Sequence, residues 1–431
     1  MDPHHPATEA AHAAPQEDTL LSKLGPGLIT GAADDDPSGI ATYSQAGAQF
    51  GFGMLWLTLL TFPLMVGIQE TSARIGRISG RGLAANIRRH YAPPLLYAMV
   101  LLLLCANTFN IAADLAAMGD ALRLLAGGNA QWYAVGFGLL SVVLQVFIPY
   151  HRYVNLLKWL TLSLLAYPAT LWAVHVPWGS VLAHTVLPHI EWKPAYLTTM
   201  VAVFGTTISP YLFFWQASQE VEELHASHAP PLKRAPGQIR RQLRRIKLDT
   251  AVGMGFSNLV AWFIMLTTAV TLHAHGIFDI GTSAQAAAAL RPLAGDFAFL
   301  QFSLGIIGSG LLAIPVLAGS AAYAMADALH WRSGLELAPL AARKFYGIIT
   351  AATLGGVVMG LLPLDPMRTL YWSAVVNGVV ALPVMVVMMS LSVHARVLRK
   401  VPLSRRLRVL GWSCTAIMAI AVLSMFASML S

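Results

Sequence analysis

Charge is the scarcest property of this chain. Only 11% of its 431 residues are Asp, Glu, Lys or Arg, against 56% hydrophobic ones, and the mean hydropathy is +0.61. So little charge cannot cover a globular surface facing water, which excludes an ordinary soluble protein and leaves a polytopic membrane protein. Cysteine is nearly absent as well. Cys105 and Cys414 both fall in apolar stretches, which excludes a disulfide framework and offers no thiol chemistry. The first twenty residues, MDPHHPATEAAHAAPQEDTL, lack the basic n-region and apolar core of a signal peptide. Residues 1–22 therefore read as a disordered cytoplasmic tail, with His4, His5 and His12 inert rather than metal-binding. No nucleophile beside a base and no closed cluster of metal ligands is visible, so no enzyme is expected.

What the chain has in quantity is apolar runs of about 20 residues, the length that crosses a bilayer. They lie at 25–46, 53–72, 94–122, 131–150, 154–175, 196–217, 248–272, 297–327, 345–363, 369–395 and 409–429, which predicts eleven spans. The net charge of +8 is distributed around them. With the amino terminus inside, 24 of the 28 Lys and Arg fall on the cytoplasmic side, and only Arg123, Lys193, Arg291 and Arg368 on the other. That is the positive-inside pattern, with the carboxyl terminus outside. The basic charge is thereby topology, and nucleic acid drops out as a partner. The KRAPGQIRRQLRRIK loop, Lys233 to Lys247, reads as a solvated linker, with contact to anionic headgroups the lesser alternative.

Two of the runs are broken. In ITGAADDDPSGIATYSQAG, Ile29 to Gly47, Pro37 has no N–H, and Ser38 and Gly39 are poor helix formers, so the helix is expected to break just after Asp36. In VAVFGTTISPYLFFWQASQEVEE, Val201 to Glu223, residues Gly205, Thr206, Thr207, Ser209 and Pro210 interrupt a run five spans later. Either break alone could be a kink, with Ser or Thr bonding back to its own helix. An intramembrane carboxylate beside one of two matching breaks, however, points to a transporter's midplane site. Unwound carbonyls and half-helix ends near Asp36 would suit a cation.

At this point the residues resemble a family. GPGLITGAADDDPSGIATYSQAGAQFG, Gly25 to Gly51, is similar to the first-helix signature of the NRAMP divalent-metal transporters: Gly-Pro-Gly, an Asp-Pro-Gly-Asn motif, then small residues ending in Gln-Phe-Gly. The resemblance implies an all-α, LeuT-like integral membrane fold of eleven helices. It would comprise a 5+5 inverted repeat with helices 1 and 6 broken and one extra helix. The first repeat would cover 23–175, the second 196–398 and the extra helix 409–429. The resemblance also implies a divalent cation substrate held between the breaks, a bilayer around the chain, no cofactor and no obligate protein partner. A bacterial inner membrane is the expected location.

The motif departs from the family in one direction. Asp36 and Pro37 match, but Ser38 stands at the Gly and Gly39 at the ligating Asn; Ser209, Pro210 and Tyr211 replace Met-Pro-His. In IAADLAAMGDAL, Ile111 to Leu122, the acid persists at Asp114 while Ala117 replaces a glutamate of the proton pathway. A soft thioether and one direct oxygen are lost, and the site becomes roomier around one buried aspartate. Such a site suits magnesium, which keeps several waters and is held by one or two carboxylates. The pattern is similar to the NRAMP-related magnesium transporters, described as not coupled to protons. The expected metal site is Asp36 with the carbonyls of Ala33 and Thr206, Ser209 as a direct or water-mediated contact, and Gly39.

Asp34, Asp35, Ser38, Tyr211, Asp114 and Asn377 complete the expected ion path. Successive helical residues point about 100° apart, so at most one of Asp34 and Asp35 can share the face of Asp36. They either line an aqueous vestibule and concentrate cations, or one of them hydrogen-bonds to structure. Asn377, in YWSAVVNGVVALP, has helix packing as its commoner role; Asn107 and Asn110 have less claim to the path. The acids of SQEVEE, Ser218 to Glu223, read as a solvated helix end that could attract ions. The function expected is alternating-access transport of magnesium, with manganese also accepted. A proton-coupled manganese or iron importer is the alternative, and a metal-sensing receptor ranks last for want of a soluble domain to carry a signal.

Overall fold

The computed structural model describes residues 26–148, 160–362, 365–398 and 401–430. The amino-terminal tail and its histidines lie outside the described residues. Fourteen helices carry the argument. They are α1 (Pro26–Asp34), α2 (Pro37–Phe50), α3 (Trp56–Ser79), α4 (Leu83–His90), α5 (Pro93–Ala126), α6 (Ala130–Phe147), α7 (Pro194–Thr207) and α8 (Pro210–Ala226), followed by α9 (Ile239–Thr271), α10 (Ala298–Leu329), α11 (Arg343–Gly360), α12 (Pro366–Val393), α13 (Ala395–Leu398) and α14 (Arg405–Leu430).

Both expected breaks are present. The first helix ends two residues earlier than the sequence suggests: α1 stops at Asp34, and Asp36 is the N-cap of α2 with Pro37 at its first position. The shift has a simple cause. Proline suits the first helical turn, where no N–H is needed, so it starts the second half-helix rather than ending the first. The same logic puts Ser209 at the N-cap of α8 with Pro210 following.

The span count differs from the expected eleven. Among the described residues, seven helices are long and apolar enough to cross a membrane, or eight when the bent pair 37–54 and 56–79 is taken as one span. The break explains part of the difference, since α1 with 9 residues and α2 with 14 are each too short to span alone. The run expected at 154–175 lies partly outside the described residues, and its remainder forms a 3-10 turn and a short helix over 160–170.

The helices sort into an inner and an outer set. The most apolar stretch of α7–α8 is wholly buried, whereas only 22% of that of α6 and 39% of that of α14 is. Exposed Leu139, Phe147, Leu423 and Phe426 give the outer helices an apolar face suited to lipid. Within the inner set α1 lies along α9, α7 along α12 and α8 along α3. Glycine makes two of these approaches possible. A Cβ on Gly205 of α7 would stand 2.0 Å from the carbonyl oxygen of Ala374 on α12, and one on Gly31 of α1 would stand 2.3 Å from the carbonyl of Gly253 on α9.

The acids at the end of α8 are not a solvated helix end. Glu220 is fully buried and lies 2.9 Å from Arg245 of α9 and 3.6 Å from Arg77 of α3, with Glu223 2.7 Å from the same Arg245. The acid charge of this helix end ties three helices together instead of gathering ions, because arginines more than twenty and more than a hundred residues away reach it.

Candidate functional site

Asp36 is the point where the two breaks meet. Its backbone is extended, with φ −71° and ψ 169°, as an N-cap requires. Oδ1 accepts from the Gly39 amide at 2.8 Å and the Ser38 hydroxyl at 2.6 Å. Oδ2 accepts from Asn110 Nδ2 of α5 at 3.0 Å. The Tyr211 hydroxyl of α8 has two acceptors in reach, the Ala33 carbonyl at 3.1 Å and Asp36 Oδ2 at 3.4 Å, for its single proton. One carboxylate, 2% exposed, is thus surrounded by neutral donors from α2, α5 and α8, with no Lys or Arg paired to it among the described residues.

The second break contributes oxygens rather than charge. Ser209 Oγ stands 2.7 Å from the Gly205 carbonyl and 2.8 Å from that of Thr206, so this hydroxyl bonds back to the end of α7. Thr206 Oγ1 lies 2.9 Å from the Tyr43 hydroxyl of α2, which joins the two broken spans directly. Each carbonyl has two lone pairs, so Ala33 and Thr206 each keep one acceptor position beside the hydrogen bond already made. Gly39 leaves room at the carboxylate. A Cβ there would meet Tyr43 Cε2 at 3.3 Å and Asp36 Oδ1 at 3.6 Å, so no side chain stands between Asp36 and the ring.

The structure therefore brings together Asp36, Ala33, Ser38, Gly39 and Tyr211 on one side, and Thr206 with Ser209 on the other. Asp34 and Asp35 turn elsewhere. Ser257 of α9 lies 2.5 Å from Asp34 Oδ2 and 3.0 Å from Asp35 Oδ1, and both acids are buried. One oxygen of each acid thus faces Ser257, while Asp34 Oδ1 and Asp35 Oδ2 have no hydrogen-bond partner among the described residues. Asp114 is fully buried on α5, within electrostatic reach of Asp36, and neither of its oxygens has a hydrogen-bond partner among the described residues. Asn377 is buried, with no hydrogen-bond partner for either amide atom among the described residues, one residue from Gly378, whose backbone meets Gly205.

Ser257 and Tyr43 touch the broken spans without having been singled out, and Asn110, given a lesser claim on the ion path than Asn377, donates to Asp36 itself. Asn110 had a usable signal: it is one turn from Asp114 and shares its helix face. Ser257 and Tyr43 had none, being ordinary residues of apolar runs. Among the described residues no three His, Cys, Asp or Glu side chains converge on one point. The chemistry available at the breaks is that of one carboxylate with carbonyl and hydroxyl oxygens, a donor set for a hard cation.

The family model described as natural resistance-associated macrophage protein-like matches residues 27–428. A divalent metal cation transporter MntH from Verminephrobacter eiseniae is 30% identical over 374 residues, covering 82% of this chain and 81% of the relative. One of the same name from Acidiphilium cryptum is 31% identical over 370 residues, covering 84% and 79%. Among solved structures, the Eremococcus coleocola manganese transporter superimposes with a TM-score of 0.74 at 18% identity, over 96% of this chain and 88% of that one. MhsT, solved with L-phenylalanine, does so with a TM-score of 0.61 at 15% identity, over 93% and 98%. The fold is the LeuT-like one.

Proposed function

Because the chain belongs to the Nramp family, we propose that it is a secondary transporter moving divalent metal cations across a membrane by alternating access, with magnesium as its main substrate, manganese also accepted, and no proton coupling. The observation that carries this reading is the buried Asp36 carboxylate at the meeting of two broken spans, ringed by neutral oxygens and donors. Asp36, the carbonyls of Ala33 and Thr206, and Ser209 would hold the ion, with Gly39 leaving space for water that magnesium retains. Ser209 supports the choice of a hard ion, because a hydroxyl stands where the family has a thioether. Tyr211 and Ala117 support the lack of coupling, since neither offers a titrating group near neutral pH.

The same reading divides the chain into inverted repeats over 23–175 and 196–398 with a further helix at 409–429. Support comes from a broken span opening each half with proline at the first turn of its second piece. The distribution of basic residues supports an amino terminus in the cytoplasm of a bacterium and a carboxyl terminus outside.

A second reading, a proton-coupled manganese importer, is favoured by the names of the relatives, which specify divalent metal cations and, for one structure, manganese. Proteoliposomes carrying an internal pH dye separate the two. Magnesium entry without acidification is expected from the wild type, and Ser209→Met should shift preference toward manganese by restoring a soft ligand. Manganese entry with acidification and no magnesium flux would replace the first reading with the second.

Tyr211 offers a finer test. Its proton competes with the ion for lone pairs of Ala33 and Asp36. A hydrogen bond of net 0.5–1.5 kcal/mol is removed in Tyr211→Phe, so the apparent KM for the ion should fall about two- to tenfold with the unfolding temperature little changed. A rise in KM would mean that the hydroxyl is itself a ligand.

A further inference from the structure

Away from the breaks, where α3 and α12 end, a cavity of about 340 Å³ is lined by Arg81, Asn86, Arg89, His90, Lys233 and Arg396, among others, and by no carboxylate. We propose that this cavity binds a phosphate group, carried either by the headgroup of an anionic membrane lipid or by a free phosphate. Nothing in the transport reading uses these residues, and the proposal goes beyond it.

Four cations converge on the cavity without a neutralising partner. No carboxylate pairs with Arg81, Arg89, Lys233 or Arg396 among the described residues. The repulsion registers on the groups themselves. Burial, and then the neighbouring guanidiniums of Arg89 and Arg88, hold the Arg81 pKa below its ordinary value. Burial together with Arg81, Arg234 and Arg89 does the same for Lys233. Like charges gathered in a concave, partly desolvated place focus a positive potential, and an anion entering it relieves all of them at once. Phosphate is the anion that fits an arginine fork in charge and geometry.

The site is also built, not a loose surface patch. Gly80 closes α3 with φ +68°, a conformation other residues resist, and it sits so close to Pro231 that a Cβ would stand 2.4 Å from that ring. The next turn is fastened by Asn86, whose Nδ2 donates to Ser79 Oγ at 3.0 Å and to the carbonyls of Arg81 at 3.0 Å and Gly82 at 2.9 Å. Lys233 Nζ donates to the Ser79 carbonyl at 2.7 Å, which brings the 231–234 turn against the end of α3. The Arg81 backbone is therefore fixed before any anion arrives, which lowers the ordering cost of binding. Since α3 and α12 are membrane helices that end here, the cavity lies at the depth of lipid headgroups.

The test uses the full chain purified and placed in nanodiscs. Native mass spectrometry would compare retention of phosphatidylglycerol with that of phosphatidylcholine of the same acyl chains. In parallel, inorganic phosphate would be added to phosphatidylcholine-only samples and the melting temperature followed. The cavity variant is Arg81→Gln/Arg89→Gln/Lys233→Gln. The control is Arg240→Gln/Arg241→Gln/Arg244→Gln, which removes as much charge from the neighbouring exposed face of α9 without lining the cavity. The wild type and control should retain phosphatidylglycerol at least fivefold over phosphatidylcholine, and the cavity variant should lose that preference. A melting shift with inorganic phosphate alone, absent in the cavity variant, would identify free phosphate as the ligand. Equal retention and equal shifts in both variants, equal loss in both, or no response in the wild type would overturn the proposal. Arg89→Gln alone, at an exposed position, keeps the test open should the triple variant not fold; a loss of at least twofold is expected from it, and no loss counts against the site.

Discussion

Asp36→Asn is expected to fold like the wild type and to carry almost no metal. The two effects separate because Asp36 does two jobs. As N-cap of α2 it accepts from the Gly39 amide and the Ser38 hydroxyl, and an asparagine oxygen caps a helix as well as a carboxylate does. The new amide NH₂ would face Asn110, whose own Oδ1 has no partner among the described residues and can be turned toward it. The fold thus loses little. The charge is lost entirely. Removing one partner of a buried charged contact costs about 2–5 kcal/mol, and at 1.4 kcal/mol per tenfold uptake should fall about 30-fold or more. Asp36→Ala should show the same loss of uptake with a further cost of about 1 kcal/mol in stability from the missing cap. Uptake and unfolding temperature measured together on both variants check this; Asp36→Asn retaining a third of wild-type flux would remove Asp36 from the site.

The second large effect is expected at the seam between α1 and α9. A Cβ at Gly31 would stand 2.3 Å from the backbone C and O of Gly253, and one at Gly27 would stand 2.8 Å from the Thr250 nitrogen. Neither neighbour is a side chain that can turn aside. The Gly27 amide meanwhile donates to Asp249 Oδ2 at 2.7 Å, which fixes the start of α1 to α9. Gly31→Ala must then push the helices apart, and overpacking of this kind costs about 1–3 kcal/mol. If only the closed arrangement bears that cost, the ratio of open to closed molecules rises about 5- to 150-fold. With Cys105 and Cys414 changed to serine, Ala33→Cys supplies a thiol at a fully buried position next to the site. Its rate of modification by a water-soluble thiol reagent should rise about tenfold in Gly31→Ala. Gly136→Ala, on α6 with nothing within 4 Å of its Cβ, is the control and should leave the rate unchanged. An unchanged rate in both variants would mean that α1 does not gate the site.

What could be read in advance from the sequence was local. Pro37, Pro210 and the run of aspartates announce breaks because a missing N–H and a buried charge act within one or two residues. Family resemblance then ordered the halves, and the superposition with solved transporters agrees with that fold. Beyond Asn110, whose place one turn from Asp114 was a usable sign, the partners of the site were not readable. Asn110 is 74 residues from Asp36, and Ser257 is 223 from Asp34; only the packing of α5 and α9 decides which face of each is turned inward. Glu220 shows the same limit in reverse. A cluster of acids ending a helix looks solvated until two distant arginines are brought to it.

The break at Asp35 and Asp36 has a mechanical meaning. With 9 residues at about 1.5 Å each, α1 is a lever about 13 Å long, and its fulcrum is the site itself. A rotation of about 10° would carry its far end, with Gly27, about 2 Å away from Asp249, while the Ala33 carbonyl, close to the pivot, would move by a few tenths of that distance. Wide travel at the rim with near stillness at the centre would let a passage open without dismantling the oxygens proposed to hold the ion.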